Sequence, residues 1–188
     1  CDSISLGAVT FKNVPFYEIS DQATGVFGEN LISNGVWEIN FKKDKITFSS
    51  TIDSPEDLGQ AELFPSSYTD DGIKIPVTFP NNKTEDVDLD FGFNGTILLP
   101  KAEFTTFTSK TRAVLKEDLR FSTPTNKSIL ENIEALDSIR IHEKTFTVVM
   151  STNDLARERL IGLGFFERFE FVIFDYKNKL FYVSKKKI

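Results

Sequence analysis

One carboxylate in this sequence stands where a strand gives way to a tight turn. The alternating segment Glu85 to Leu89 is typical of a strand, and it runs into Asp90-Phe91-Gly92. Because glycine lets the backbone fold tightly behind the acid, such a corner can present one carboxylate rigidly for acid–base chemistry. Asp-x-Gly is also a common turn, in which the acid caps the amides of its own loop. Both interpretations of Asp90 stay open at this point.

Few other residues could support catalysis or hold a metal. His142 is the single histidine and Cys1 the single cysteine, which excludes a histidine-based metal cluster, a Ser-His triad and an internal disulfide from this sequence alone. We therefore predict no metal and no cofactor. The net charge is 22 minus 28, or −6, without a basic face interleaved with aromatics, so nucleic acid is not an expected partner.

Strands must position the Asp90 corner, because alternation of apolar and polar residues dominates the chain. The sequence predicts a mostly β fold with short turns between the strands. The predicted strands are Ile4 to Leu6, Trp37 to Phe41, Lys45 to Phe48, Ile73 to Phe79, Val87 to Phe91, Thr96 to Leu99, Ile139 to Val149, Glu170 to Tyr176 and Lys179 to Val183.

Helices are expected to be few and short. One should follow Pro100 as far as about Phe107, since proline is accepted in a first turn. A second is predicted over Ser128 to Leu136, where Ser128 can cap the helix and Glu131 stands three residues on. A third short turn of helix should follow Gly164.

A stretch near the beginning of the sequence returns near its end. Asp2 to Leu6 comes back as Asp137 to Ile141, a constant shift of 135 positions (137 minus 2). The same shift aligns Asn40 with Asp175, and one gap after Lys43 aligns Ile46 with Leu180. A unit of well over 100 residues has the size of a lobe, which indicates a duplicated domain. We expect Asp175 to be a surface residue entering a hairpin and not a catalytic one.

The order of these motifs resembles the retropepsin-like and pepsin-like aspartic proteases. Asp90-x-Gly92 is followed after about seventy residues by Leu160-Ile161-Gly162, then by a short apolar segment and the closing strands up to Tyr182. Proteins of that family carry Asp-Thr-Gly or Asp-Ser-Gly, then a hydrophobic-hydrophobic-Gly element, a short helix and a closing strand. In the first copy, Val26-Phe27-Gly28 fits the hydrophobic-hydrophobic-Gly element.

The resemblance implies a fold of closed, acid-protease-like β-barrel lobes with a few short helices. It assigns residues 1–56 to the rear part of a first lobe and residues 57–188 to a nearly complete second lobe. It also implies peptide hydrolysis by two aspartates that share a proton and activate a water, of which this sequence supplies Asp90. The partner acid must come from a missing first-lobe segment, from a second subunit, or from nowhere, so this chain alone should not hydrolyse peptides.

Phe91 departs from the family pattern. The family has a Thr or Ser there, whose hydroxyl locks the active-site loops together, and phenylalanine cannot form that hydrogen bond. We expect Phe91 to pack into the lobe interface instead, with Gly92 completing the loop. This departure leaves a second hypothesis open, namely a non-catalytic module that binds a peptide or protein in the cleft. The expected location is secreted, periplasmic or cell-surface, and Cys1 fits either a lipid-anchored N-terminus or a fragment boundary.

Overall fold

The computed structural model describes residues 3–14, 28–52, 59–108, 113–123 and 126–185. Strands predominate there, which confirms the mostly β prediction. The strands are β1 (Ser3–Leu6), β2 (Val9–Lys12), β3 (Val36–Asn40), β4 (Lys45–Ser49), β5 (Ala61–Leu63), β6 (Ser67–Thr69), β7 (Gly72–Thr78), β8 (Thr84–Asp90), β9 (Ile97–Leu98), β10 (Ala113–Thr123), β11 (Asn126–Ile141), β12 (Lys144–Thr152), β13 (Leu160–Gly162), β14 (Phe171–Asp175) and β15 (Leu180–Ser184). The helices are α1 (Glu29–Ile32), α2 (Lys101–Phe107) and α3 (Leu163–Phe166). None of the helices in these ranges is long and apolar enough to cross a membrane.

The largest sheet forms a barrel-like lobe. Its strand order is β10-β11-β12-β9-β13-β8-β7-β6, and β7 also pairs with β11 through Thr78 and Arg140. That extra pairing joins β7, β8, β13, β9, β12 and β11 into a ring. The ring strands and α3 contribute to one core in which Ile75, Val87 and Ile161 each have 0% exposure. Alternating burial along β7 places its apolar side chains on the core face, as its period of two predicted.

A second sheet joins the two parts of the chain. Its order is β4-β3-β14-β15-β5, so two strands from residues 1–56 pair with three strands from residues 57–188. β3 and β14 run antiparallel, with Glu38 opposite Ile173 at the centre. The domain boundary that we predicted near residue 57 lies outside the described residues.

Strand pairing follows the same shift of 135 as the sequence. The β1–β2 hairpin pairs Ile4 with Phe11, and the β11–β12 hairpin pairs Ile139 with Phe146. The bounds of β3 and β4, each moved by 135, give the bounds of β14 and β15. Within these hairpins the registers also agree, since Ile46 faces Ile39 as Phe181 faces Phe174.

The gap that we placed after Lys43 is therefore wrong. Ile46 corresponds to Phe181 and not to Leu180, because the two hairpins have turns of equal length. The last turn residue is left-handed in both, with φ of 49° at Asp44 and 56° at Lys179. A constant shift keeps the inward and outward faces of the strands in step, whereas a one-residue gap would exchange them.

Two helix predictions are confirmed and one is wrong. α2 occupies the segment after Pro100, and α3 provides the short turn of helix beside Gly164. The predicted helix over Ser128 to Leu136 is instead part of β11, which pairs with β10 on one edge and β12 on the other. Hydrogen bonding to two neighbouring strands outweighs a local capping signal, because propensity is a weak determinant beside tertiary context.

Candidate functional site

Asp90 is the last residue of β8, and the chain reverses direction immediately after it. The return strand is β9, and β13 lies between the two, parallel to β8 and antiparallel to β9. Gly162, the last residue of β13, is paired with Asp90. The structure thus brings the hydrophobic-hydrophobic-Gly element against the acid, although about seventy residues separate them in the sequence.

Hydrogen bonds fix the loop of residues 91–96 at both of its ends. Asp90 Oδ1 accepts a hydrogen bond from the Gly92 amide at 2.7 Å, and the carbonyl oxygen of Asp90 accepts one from the Phe93 amide at 3.1 Å. Further along the loop, the Gly162 amide donates to the carbonyl oxygen of Thr96 at 3.0 Å. Within the described part of the chain, no cation forms a salt bridge with Asp90. The hydrogen bond from the Gly92 amide thus holds one carboxylate oxygen of Asp90, which is half-buried, within its own loop.

Gly162 and Gly164 allow the close approach of this loop to β13 and α3. A Cβ atom on Gly162 would lie 2.2 Å from the carbonyl oxygen of Phe93 and 2.5 Å from that of Gly95. A Cβ atom on Gly164 would lie 2.7 Å from the carbonyl oxygen of Asn94. Atoms at such distances overlap, so both positions require glycine for reasons of space.

Phe91 is partly buried and packs against the core. Its ring stacks on Phe166 of α3 with centroids 5.4 Å apart and meets Phe174 of β14 edge-on at 5.3 Å. Both partners belong to the main core cluster, and β14 is also the strand with which β3 of residues 1–56 pairs. The packing of Phe91 at a lobe interface stays a prediction. A phenylalanine can be accommodated because α3 and β14 present an aromatic surface directly behind the loop.

Asp175 does not join Asp90 at the corner. It is 1% exposed, and its carboxylate accepts hydrogen bonds from the amide and the side chain of Asn178, at 3.0 and 2.7 Å. Asn40 holds the equivalent turn by accepting the Lys43 amide at 2.9 Å. The prediction of a surface residue is therefore wrong, because the turn needs an acceptor on its inner side, where the sheet is buried.

Sequence reasoning missed the ion pairs that hold the beginning of β13. Arg159 contacts both carboxylate oxygens of Glu103 in α2, at 2.6 and 2.7 Å, and lies 3.6 Å from Glu85 in β8. Its hydrogen bonds to Glu103 hold the pKa of the Arg159 guanidinium above its ordinary value. The carbonyl oxygen of Arg159 also accepts the Asp88 amide at 2.8 Å. The run of acidic residues in β8 is the sequence feature that could have predicted a nearby cation.

An open polar pocket occurs elsewhere on the molecule. Glu38, Asn40 and Gln60 line it, together with Lys42 and Glu170, which form an ion pair of 2.8 Å. None of the corner residues contributes to its lining. Of the two hydrophobic-hydrophobic-Gly elements, only that of the second copy is described in full, since Val26 and Phe27 of the first copy lie outside the described residues.

No family model matches this sequence, and no curated protein matches it. Among solved structures, the chain is similar to a retropepsin-like aspartic protease from Rickettsia conorii, with 21% identity and a TM-score of 0.45 over 66% of this chain and 93% of that one. It is also similar to the EIAV protease solved with the inhibitor HBY-793, with 16% identity and a TM-score of 0.37 over 54% of this chain and 83% of that one.

Proposed function

We propose that this chain is one part of an aspartic-peptidase-like protein, in which Asp90 supplies one carboxylate of a catalytic pair. The observation that carries the proposal is the insertion of β13 between β8 and β9, with Gly162 opposite Asp90. This arrangement is rigid, because backbone hydrogen bonds and glycine contacts hold the loop on both sides. A substrate peptide would lie extended across the cleft next to Asp90.

The second carboxylate has to come from elsewhere. The position 135 residues before Asp90 precedes residue 1, so no residue of this sequence is its equivalent. A first-lobe segment or a second subunit would supply the partner acid. Two carboxylates side by side cannot both ionise readily, so one stays protonated and donates to the peptide carbonyl while the other accepts a proton from the attacking water. This chain alone is expected to be inactive.

The test uses the full-length polypeptide that contains this sequence, incubated with a denatured protein at acidic and neutral pH. We expect cleavage that Asp90→Asn abolishes. Asp86→Asn is the matched control, because Asp86 is an exposed acid on the same strand, and it should leave the cleavage rate unchanged. Cleavage that survives in Asp90→Asn, or no cleavage at any pH in a protein that holds both lobes, would exclude the peptidase proposal.

A specific observation favours a second candidate function, a non-catalytic module that binds a peptide or protein. Phe91 packs on Phe166 and Phe174 and offers no hydroxyl to lock an opposing loop. Catalysis requires the two active-site loops to be held in a narrow range of positions, whereas peptide binding tolerates more variation in those positions. Retention of an intact unfolded polypeptide, equal in the wild type and in Asp90→Asn, would support this candidate over the first.

A further inference from the structure

Asparagine precedes glycine at Asn34-Gly35 and at Asn94-Gly95. Asparagine side chains are thermolabile, because the amide nitrogen of the next residue can attack the side-chain carbon Cγ and close a succinimide ring. The reaction is fastest before glycine, which has no Cβ to obstruct the ring and permits the backbone conformation that closure needs. The surroundings of each pair then decide whether it reacts in the folded protein.

Asn94 and Gly95 lie in the middle of the loop that follows Asp90. Asn94 is exposed, and among the residues that the structure describes its side chain forms no hydrogen bond. The Gly95 amide, which supplies the attacking nitrogen, likewise donates to no group in the described part of the chain. Neither reacting group is therefore restrained by these residues.

The Asn34-Gly35 pair, in contrast, is held by its neighbours. The Asn34 side chain donates from Nδ2 to the carbonyl oxygen of Leu31 at 3.1 Å, which directs it back toward α1. Gly35 is buried, and a Cβ atom on it would lie 2.7 Å from the carbonyl oxygen of Ser49 in β4. The two pairs thus have the same chemistry but unequal freedom to react.

We propose that Asn94 is a modification site, at which spontaneous deamidation to isoaspartate loosens the loop after Asp90. The Gly95 nitrogen forms a bond to Cγ of Asn94 and gives its proton to water, while the Cγ–Nδ2 bond breaks and ammonia leaves with a proton taken from water. A water molecule then breaks one of the two bonds between the ring carbonyls and the Gly95 nitrogen. Loss of the Cγ bond leaves aspartate, and loss of the main-chain bond leaves isoaspartate.

The isoaspartate product fits the anchored loop poorly. The Leu163 amide donates to the carbonyl oxygen of Phe93 at 2.8 Å, and the Gly162 amide donates to that of Thr96 at 3.0 Å, so the reacting pair spans the distance between two fixed points. In isoaspartate the main chain runs through Cβ and Cγ, which makes this span longer. The former main-chain carbonyl, whose oxygen lies 2.7 Å from the place of a Cβ atom on Gly164, becomes a carboxylate. Because a charge is costly to bury, the loop should detach from β13 and α3.

Peptide mass spectrometry of the aged protein tests the site, with Asn34 as the internal control. The polypeptide that carries this sequence is incubated at mildly alkaline pH, folded in one sample and unfolded in urea in the other, and fragmentation locates each deamidated residue. In the folded protein we expect deamidation at Asn94 to be at least about tenfold faster than at Asn34, because local structure restrains the Asn34 pair. In urea the two rates should converge. A smaller difference in the folded protein, or a ratio that urea leaves unchanged, would overturn the proposal.

The Asn94→Asp variant separates the added charge from the longer main chain. Chromatography isolates the isoaspartate form, whose amide hydrogen exchange is compared with that of the variant and the wild type. The amides of Gly162 and Leu163, which bond to the loop, should exchange about tenfold faster in the isoaspartate form and at the wild-type rate in Asn94→Asp. Wild-type exchange in the isoaspartate form, or equally fast exchange in Asn94→Asp, would contradict the predicted loosening. Neither measurement uses peptide cleavage, so this inference and the peptidase proposal can fail separately.

Discussion

At the scale of single residues, the Asp90 corner depends on two glycines, Gly162 and Gly164, where a side chain would not fit. Gly162 admits two loop carbonyls into the space where a Cβ would stand, and Gly164 admits a third. The sequence singled out Gly162 through its place in Leu160-Ile161-Gly162, but the carbonyl oxygens that need this space lie about seventy positions earlier in the chain. It could not indicate where the ring of Phe91 goes, since that depends on Phe166 and Phe174, which lie more than seventy positions away in the chain.

Substitution of Gly162 should open the corner. In Gly162→Ala the new methyl group would overlap backbone oxygens, which cannot rotate away as a side chain could, so we expect a loss of about 2 to 3 kcal/mol in the free energy of unfolding. Gly59→Ala is the control, because a Cβ there meets nothing within 4 Å. Urea denaturation measures both. A midpoint for Gly162→Ala equal to that of the wild type would show that the loop is not held against β13.

At the scale of elements, the β3–β4 and β14–β15 hairpins have the same turn although the residue that accepts the turn's hydrogen bond differs between them. Asn40 and Asp175 both accept the amide three residues on, and the left-handed residues Asp44 and Lys179 end both turns. The sequence predicted these strands correctly, although burial does not alternate along β14, in which all five residues are buried. It failed for Ser128 to Leu136, where pairing with distant strands decides the structure and no local pattern reports it.

Tyr68 links β6 to β15 and should make stability depend on alkaline pH. Its hydroxyl donates to the carbonyl oxygen of Leu180 at 2.7 Å, and burial, aided by Tyr176 and Asp175, raises the pKa of Tyr68. The neutral form is thus favoured by folding, and its contribution is complete below the unfolded pKa of about 10 and declines as the pH rises beyond it.

Tyr68→Phe isolates this effect. At pH 8 the variant should lose about 1 kcal/mol of unfolding free energy with the missing hydrogen bond. Between about pH 10 and 12 the wild type should lose stability more steeply than the variant, so the two urea midpoints converge. Parallel pH profiles for the two proteins would mean that Tyr68 ionises freely in the folded state.

At the scale of the whole molecule, two units with cores of unequal size share one sheet. The barrel-like lobe has a large continuous core, whereas the β1–β2 region has a cluster of Phe11, Val14 and Leu31 with partly buried neighbours. Antiparallel pairing of β3 with β14 attaches the smaller unit to the larger one. Because stability follows buried apolar area, the smaller unit should open first and the lobe should remain folded without it.

Phe11 and its counterpart Phe146, which are 6% and 2% exposed, provide a matched test of this order. Each Phe→Ala change removes a buried ring, which typically costs 3–5 kcal/mol. In Phe11→Ala, amide hydrogen exchange should accelerate in β1 and β2 while β7 and β8 keep wild-type protection. In Phe146→Ala the lost contacts with Phe165 and Phe169 lie in the main core, so the amides of β7, β8, β1 and β2 should all exchange faster. Equal loss of protection in β7 for both variants would show that the two units unfold as one.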